Sequence, residues 1–313
     1  MTNELMMEEA DRATVTVLVD NYTDLFLLES KGPMRRPMML QGATPVAEHG
    51  LSVLIEVESG GKRRSIVMDA ALSPMALLHN MAVYGVDMAA VECMVLSHGH
   101  PDHFGGLMAL LEKTPQGKKL VLHPDAFSRR RLNIPGRGPQ KELPSIDEAA
   151  LTHAGAMVCK RTGPELLCSG MAVALGEIER TTEFEKGFPW AEIIRDGEWF
   201  PDPFLDDQAI AIRVKGKGLV VVSGCAHSGI VNTVRYARKI AGEEKVHAVM
   251  GGFHLTGPIF EPIIDPTVEA LKEAAPDYVI PMHCTGWNAI KRFSERMPEQ
   301  FLLNSVGTSY VFE

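Results

Sequence analysis

Between positions 97 and 103 the chain reads Ser-His-Gly-His-Pro-Asp-His, which places three histidines and one carboxylate within the six residues 98–103. Histidine is otherwise sparse, with 11 in 313 residues. Imidazole and carboxylate are the donor types that suit zinc, iron and manganese. The preceding apolar run, 91–96, reads as a buried strand, so the cluster sits on a short, rigid turn at a strand end. His98 and His100, two residues apart, can point one way, while Asp102 and His103 lie further round the turn and can face a second ion. This HxHxDH spacing supports a two-metal site. It also constrains the fold, because a metal needs further donors held rigidly, and other strand ends at the same sheet edge supply them.

The rest of the chain has the matching rhythm of strand, polar tip and helix. Strands are expected at 15–21, 51–57 and 65–69, the last ending in Asp69, followed by a helix over 74–84 with Met75, Leu78 and Met81 at helical spacing. A helix over 107–113 follows the metal turn. Residues from about 124 to 165 carry Pro135, Gly136, Gly138, Pro139 and Pro144 and read as an irregular insertion over the site within a single domain spanning 1–313. Residues 172–175 and Ile193 are expected to return to the sheet. The second half restarts with strands at 208–214, 219–223, 246–250 and 278–282 and helices at 230–240 and 267–274. Its strand tips carry Cys225 and His227, then His254, then His283. Each of these histidines alone could be an ordinary buried side chain; beside the HxHxDH cluster, His227 and His283 become candidate ligands.

Composition narrows the partners. A 45% hydrophobic chain of 313 residues can build one large core. The formal net charge of −9 argues against a general nucleic-acid binder. One basic run, Arg129-Arg130-Arg131, reads either as an exposed helix end or as an anion site. No apolar stretch approaches the roughly 20 residues of a membrane span, and the polar segment 1–12 is unlike a secretory signal. Five scattered cysteines, an odd number without framework spacing, favour reduced thiols and a cytoplasmic location.

The cluster and the strand tips resemble the metallo-β-lactamase superfamily. That resemblance implies an α/β fold, an αββα sandwich of two mixed β-sheets flanked by helices, with the metal site at one sheet edge. It implies that His98, His100 and His227 bind a first metal, and that Asp102, His103 and His283 bind a second. Many members carry a histidine in a Gly-His-Thr turn and then a bridging aspartate. Here the segment before Leu219 shows Asp206-Asp207-Gln208 and no histidine, and the next tip carries Cys225, which either bridges the ions or lies behind the ligands. A thiolate there favours zinc. Asp69 matches the strand-end aspartate that orders the metal loop through hydrogen bonds. The implied cofactor is one or two divalent ions, zinc foremost, with iron, manganese or magnesium as alternatives.

Further strings, Val-Asp-Asn at 19–21, Glu-His-Gly-Leu-Ser at 48–52, Gly-Glu-Ile-Glu-Arg at 176–180, Ser-Gly-Cys-Ala-His-Ser-Gly-Ile at 223–230, Gly-Gly-Phe-His-Leu at 251–255 and His-Cys-Thr-Gly at 283–286, span nearly the whole chain. Together they resemble the subgroup named 7,8-dihydropterin-6-methyl-4-(β-D-ribofuranosyl)aminobenzene-5′-phosphate synthase. The resemblance implies a transferase moving a pterin group from its pyrophosphate, with a small anionic or phosphorylated substrate. A metal-dependent hydrolase of phosphoesters, lactones or related esters would use the same site. A mononuclear iron dioxygenase is a third reading, and a metal-stabilised binding module without catalysis a fourth. Asp102 and His254 are the candidate catalytic residues: His254 follows two glycines and is free to donate a proton or hold an anion. Glu48, His49 and Arg180 are candidates for substrate contact, each with an ordinary structural role as the alternative.

Overall fold

The computed structural model describes residues 5–37 and 43–313; the first four residues of the polar N-terminal segment lie outside these. Two large mixed sheets carry the fold. One has eight strands in the order Met34–Arg35, Ser309–Phe312, Arg12–Val19, Ser52–Ser59, Lys62–Met68, Cys93–Val95, Lys118–Leu122 and Ala156–Lys160. The other has six, in the order Glu165–Leu167, Ala172–Ala174, Ala209–Val214, Gly218–Ser223, Val246–Gly252 and Tyr278–Met282.

Strand periodicity explains the layering. Val15, Val17, Val53, Ile55, Ile66 and Met68 of the first sheet share a buried cluster with Ile210, Ile212, Val220, Val222, Ala248 and Met250 of the second. Their alternates point outward: Leu18, Leu54 and Val67 pack under Leu77, Met81, Leu107 and Leu110 of the helices Pro74–Val83 and Leu107–Glu112. On the far side Val249 and Val279 pack against the helices Ile230–Ala241, Ile264–Ala274 and Trp287–Arg296. Two sheets packed face to face with helices on both outer surfaces make the αββα sandwich. Among the described residues, no helix is long and apolar enough to cross a membrane.

Several expectations need correction. The excursion at 124–165 is more regular than its glycines and prolines suggest. It holds the helix Glu148–His153 and the strand Ala156–Lys160, which adds in parallel to Lys118–Leu122 at the edge of the large sheet. Its middle builds part of a third, four-stranded sheet in the order Glu198–Pro201, Ala191–Arg195, Arg130–Leu132, Lys141–Glu142. Residues 172–174 do return to the six-stranded sheet. Ile193 does not: its partners are Arg130 and Phe200 in the small sheet. The basic run 129–131 is neither a helix end nor a free anion site. Arg129 pairs with Glu142, Arg131 with Glu192, and Arg130 is buried between Asp202 and Asp206.

Within each large sheet the strands that matter are parallel: Lys62–Met68 with Cys93–Val95, and Gly218–Ser223 with Val246–Gly252 and Tyr278–Met282. Parallel strands finish on one side, so their tips deliver Asp69, the 97–103 turn, Cys225, His227, His254 and His283 to a common edge.

Candidate metal centre

At that edge the donors gather into three groups that share one thiol. Asp102, His103, Cys225 and His283 form one, His98, Cys225 and His227 a second, and Cys225, His254 and Cys284 a third; in each, the donor atoms lie within 4.8 Å of one another. His103 Nε2 is 3.1 Å from His283 Nε2 and 3.1 Å from Cys225 Sγ. Asp102 Oδ2 is 3.4 Å from His283 Nε2. In the second group His98 Nε2 and His227 Nε2 are 3.2 Å apart. The His100 ring centroid lies 4.6 Å from that of His98 and 4.9 Å from that of His227, and its buried Nε2 has no hydrogen-bond partner.

These contacts fit a metal. Metal–nitrogen bonds of about 2.0–2.1 Å at a tetrahedral angle put two ligand nitrogens about 3.3 Å apart. Neighbouring groups set the tautomers of His103 and His98, while His227 Nδ1 has no partner. His103 Nδ1 donates to Asp69 Oδ2 at 2.6 Å, which leaves Nε2 as an acceptor. His98 Nδ1 lies 2.9 Å from Ser97 Oγ, whose own proton goes to Asp69 Oδ2 at 2.8 Å. His98 therefore donates through Nδ1 and also turns a lone pair toward His227. A His227 tautomer with its proton on the unpartnered Nδ1 would turn a second lone pair toward His98, and a cation between the two would satisfy both.

The electrostatics agree. Burial holds His98 and His227 well below the ordinary imidazole range and brings His100 down to about 3, so these rings are neutral donors. Burial also opposes charge on His103, but Asp69 and Asp102 outweigh it and push that ring up to about 9. Burial likewise opposes ionisation of Asp102, yet His103 and His283 hold it well below the usual carboxylate range. The carboxylates that would keep a proton on His103 Nε2 would equally hold a metal ion there.

Local backbone geometry aims the donors. Asp69, Ala226, His254 and His283 all take left-handed φ between 48° and 62°, a conformation that persists where surrounding contacts enforce it. Asp69 accepts from Ser97 N at 2.7 Å, tying the strand tip to the metal turn. Gly99 allows the turn to lie against its support: a Cβ there would meet Ala126 O at 2.3 Å and Arg130 Nη1 at 2.7 Å. Its N–H donates to Asp206 Oδ2 at 2.8 Å, and Asp206 is in turn held by Arg130. His227 stacks on Phe204, with centroids 4.3 Å apart and planes 12° from parallel.

Some positions were not assigned from the sequence. Asp20 Oδ1 accepts from His283 N at 2.8 Å, and Asn21 Nδ2 donates to His283 O at 2.7 Å. The string 19–21 was visible as a motif, but its partner lies 262 residues away. Asp206 and Asp207 carry the turns that hold ligands: Asp207 Oδ2 accepts from Ser228 N at 2.8 Å, and burial raises its carboxyl to about 6.

The three substrate candidates separate. Glu48 is spent on the fold: Oε1 accepts from Leu72 N and Ser73 N, and Oε2 from Ser73 Oγ, at the N-terminus of the helix Pro74–Val83. Its carboxylate suits a helix start, which explains why it does not face the site. His49 is exposed at the rim, with Nε2 3.5 Å from Asp102 Oδ2. Arg180 is exposed and donates to Pro203 O; its Nη1 lies 3.2 Å from where a Cβ on Gly187 would stand. Gly187 lines a cavity of about 20 Å³ with His227, His254, Lys186, Phe253 and Phe260. The His254 ring lies 4.2 Å from that of His227, its buried Nδ1 has no partner, and its N–H donates to Cys284 Sγ at 3.2 Å.

Comparison with known proteins places this geometry. The chain is 34% identical over 259 residues to the 7,8-dihydropterin-6-methyl-4-(beta-D-ribofuranosyl)-aminobenzene-5'-phosphate synthase of Methanocaldococcus jannaschii, covering 82% of this chain and 87% of that protein. The crystal structure of Tm1679, a metal-dependent hydrolase of the beta-lactamase superfamily, superposes with a TM-score of 0.74 at 24% identity, covering 96% of this chain and 98% of the other. Zn(2+)-bound PqqB from Methylobacterium extorquens gives 0.50 at 11% identity over 96% and 99%. The family model described as the metallo-beta-lactamase superfamily matches residues 48–238, from the start of the metal half through the helix behind His227. Sheet order, donor placement and sequence relatives thus converge, and the chain belongs to the metallo-β-lactamase superfamily.

Proposed function

We propose that this chain is a metal-dependent transferase that moves a pterin group from its pyrophosphate to a ribosylated aminobenzene phosphate, which would yield the product for which its Methanocaldococcus jannaschii relative is named. The observation that carries the reading is the set of donor groups meeting at Cys225, on a chain with 34% identity to that synthase over most of its length. His98, His100 and His227 would hold one ion, Asp102, His103 and His283 the other, with Cys225 between them. When bound, divalent ions there supply Lewis-acid polarisation of a phosphoryl oxygen and neutralise charge on a departing pyrophosphate. Zinc is the favoured occupant because a buried cysteine, whose ionisation burial opposes until an ion is bound, joins imidazoles in the donor set.

The protein side chains have separate tasks. Asp69 and Ser97 orient His103 and His98, and Asp20 and Asn21 orient His283. His254 faces the same space with an unpartnered Nδ1 and is positioned to give a proton to the leaving group or to hold an anionic oxygen. His49 and Arg180 lie at the rim, where an imidazole and a guanidinium meet the phosphorylated end of a substrate.

A product screen on protein purified without oxygen and assayed for metal tests this. Pterin pyrophosphate with the aminobenzene acceptor should yield a joined product and free pyrophosphate. His98→Ala, His100→Ala and Asp102→Ala should each lower bound metal and abolish turnover while keeping the fold. Cleavage of simple phosphodiesters or lactones without transfer would replace the proposal with hydrolysis. Oxygen-dependent turnover with iron alone would replace it with dioxygenation.

A further inference from the structure

A large cleft lies away from the histidine centre. It has a volume of about 850 Å³ and lies where the strands Gly218–Ser223, Val246–Gly252 and Tyr278–Met282 begin, between Lys217, Lys245 and Asp277. The metal donors follow the other ends of the same parallel strands. Strands of five to seven residues at about 3.3 Å per residue separate the two places by roughly 20 Å.

The cleft gathers positive charge on a chain of net charge −9. Lys31, Lys217, Lys245, Lys272 and Arg296 line it, against the acids Asp277 and Glu299. Part of this has a structural cause. The helices Ile264–Ala274 and Trp287–Arg296 end here, and cations in a last turn offset the negative helix end. Lys272 and Arg296 are those cations, and both pair with Glu269. Lys217 and Lys245 have no such explanation: each stands in the connection leading into a strand, and neither has an ion pair among the described residues. Asp277 does not neutralise them, because its Oδ2 is bound by His247 Nδ1 at 2.6 Å. His247 and both lysines line the same cleft. Lys31 also lines the cleft, its ammonium donating to Pro298 O at 3.1 Å. Tyr278 lines it too and packs against Gly32, where a Cβ would meet the ring at 2.7 Å.

We propose that this cleft is a second ligand site, separate from the histidine centre, which binds a small phosphorylated molecule carrying at least two negative charges. Lys217 and Lys245 would take the phosphates, Lys31 would close over them, and the Tyr278 and Met297 surface would carry the uncharged part. A volume of this size suits a mononucleotide rather than a lone phosphate.

ADP is the probe, titrated by calorimetry into metal-loaded protein at low ionic strength without added magnesium. The His98→Ala variant, with its metal centre disabled, should retain this binding. The double variant Lys217→Glu with Lys245→Glu should weaken it by about tenfold or more. AMP should bind more weakly than ADP, and added salt should weaken both. Absence of binding at millimolar ADP would overturn the proposal. So would equal affinity in the lysine double variant, equal affinity for AMP, or loss of binding in His98→Ala.

Discussion

Arg130→Met tests whether the small sheet is a support for the metal turn. Arg130 is 2% exposed, and it donates through Nε to Asp202 Oδ2 and through Nη2 to Asp206 Oδ1, each at 2.7 Å. Neither aspartate side chain is exposed at all. Methionine fills much of the arginine's volume but leaves two buried carboxylates without a countercharge. Removing one partner of a buried pair costs about 3–5 kcal/mol, and the variant should lose at least that much. The loss should reach the metal centre, because Asp206 also holds Gly99 N between His98 and His100. Disturbing a group that orients ligands typically weakens metal binding by about 10–100-fold.

Urea unfolding of metal-free protein measures the first quantity and competition with a chelator the second. The stability loss should also depend on pH. Burial already raises the Asp202 carboxyl above its ordinary 3.8 despite the arginine, and without Arg130 the rise grows. A carboxyl whose folded pKa exceeds its unfolded one loses stability as pH rises above the unfolded value. The deficit should therefore be larger at neutral pH than near 3.8. Adding Asp202→Asn and Asp206→Asn to the variant removes the stranded charges and should recover part of the loss. A deficit under about 1 kcal/mol, below the range for buried pairs, or no recovery with the amides, would refute the reasoning.

Other positions give sharper, smaller tests. Asp69→Asn removes the carboxylate that fixes His103 and should weaken metal binding by about 10–100-fold, measured by chelator competition; unchanged affinity would show that His103 orients itself. Gly252→Ala would put a Cβ 2.5 Å from Gly224 O and 2.6 Å from Cys284 Sγ, and overpacking of this kind costs about 1–3 kcal/mol in urea unfolding. Wild-type stability there would mean that the strand tips shift freely. His254→Ala should keep full metal content and lose about 10²–10⁴-fold in rate if a general acid is removed. If only an anion contact is lost, affinity should suffer more than turnover. Loss of metal, or unchanged kinetics, would show that His254 has another role.

What could be read from the sequence depended on how far apart the interacting parts lie. The runs 51–57 and 219–223 read as strands, the second as a continuous buried one, and in the fold Val220 and Val222 face the other sheet while Leu219 and Val221 face the helix side. The HxHxDH turn is legible because its donors sit within six residues and follow a strand. The strands Lys118–Leu122 and Ser309–Phe312 were not read, since four or five residues with mixed polarity carry little periodic signal. The third sheet was hidden for another reason. Its strands are held by Arg131 with Glu192 and by Arg130 with two distant aspartates, and such pairings leave no local pattern. Glu48 shows the converse failure: it lies in a motif beside His49, yet its oxygens serve a helix start 25 residues on.

The departure from the superfamily pattern before Leu219 gains a physical meaning from these placements. Asp206 and Asp207 lie where a ligand would be sought, but Asp206 is bound to Arg130 and Gly99, and Asp207 holds Ser228 N through Oδ2 while its buried Oδ1 has no partner. They shape the turns on either side of the centre, and the donor falls to the next strand tip. Gly224 makes that possible: a Cβ there would strike Ser97 Oγ at 2.2 Å, so only glycine lets the Cys225 tip approach the metal turn. Cys225 Sγ then stands 3.1 Å from His103 Nε2 and within reach of His98 and His227. On the proposed reading, a buried thiolate shared by both ions exchanges the hard oxygen bridge of many relatives for a soft one. It favours zinc over magnesium or manganese at the same imidazole positions. It also makes occupancy of the two positions interdependent, because either ion lowers the cost of ionising the one thiol that both must share.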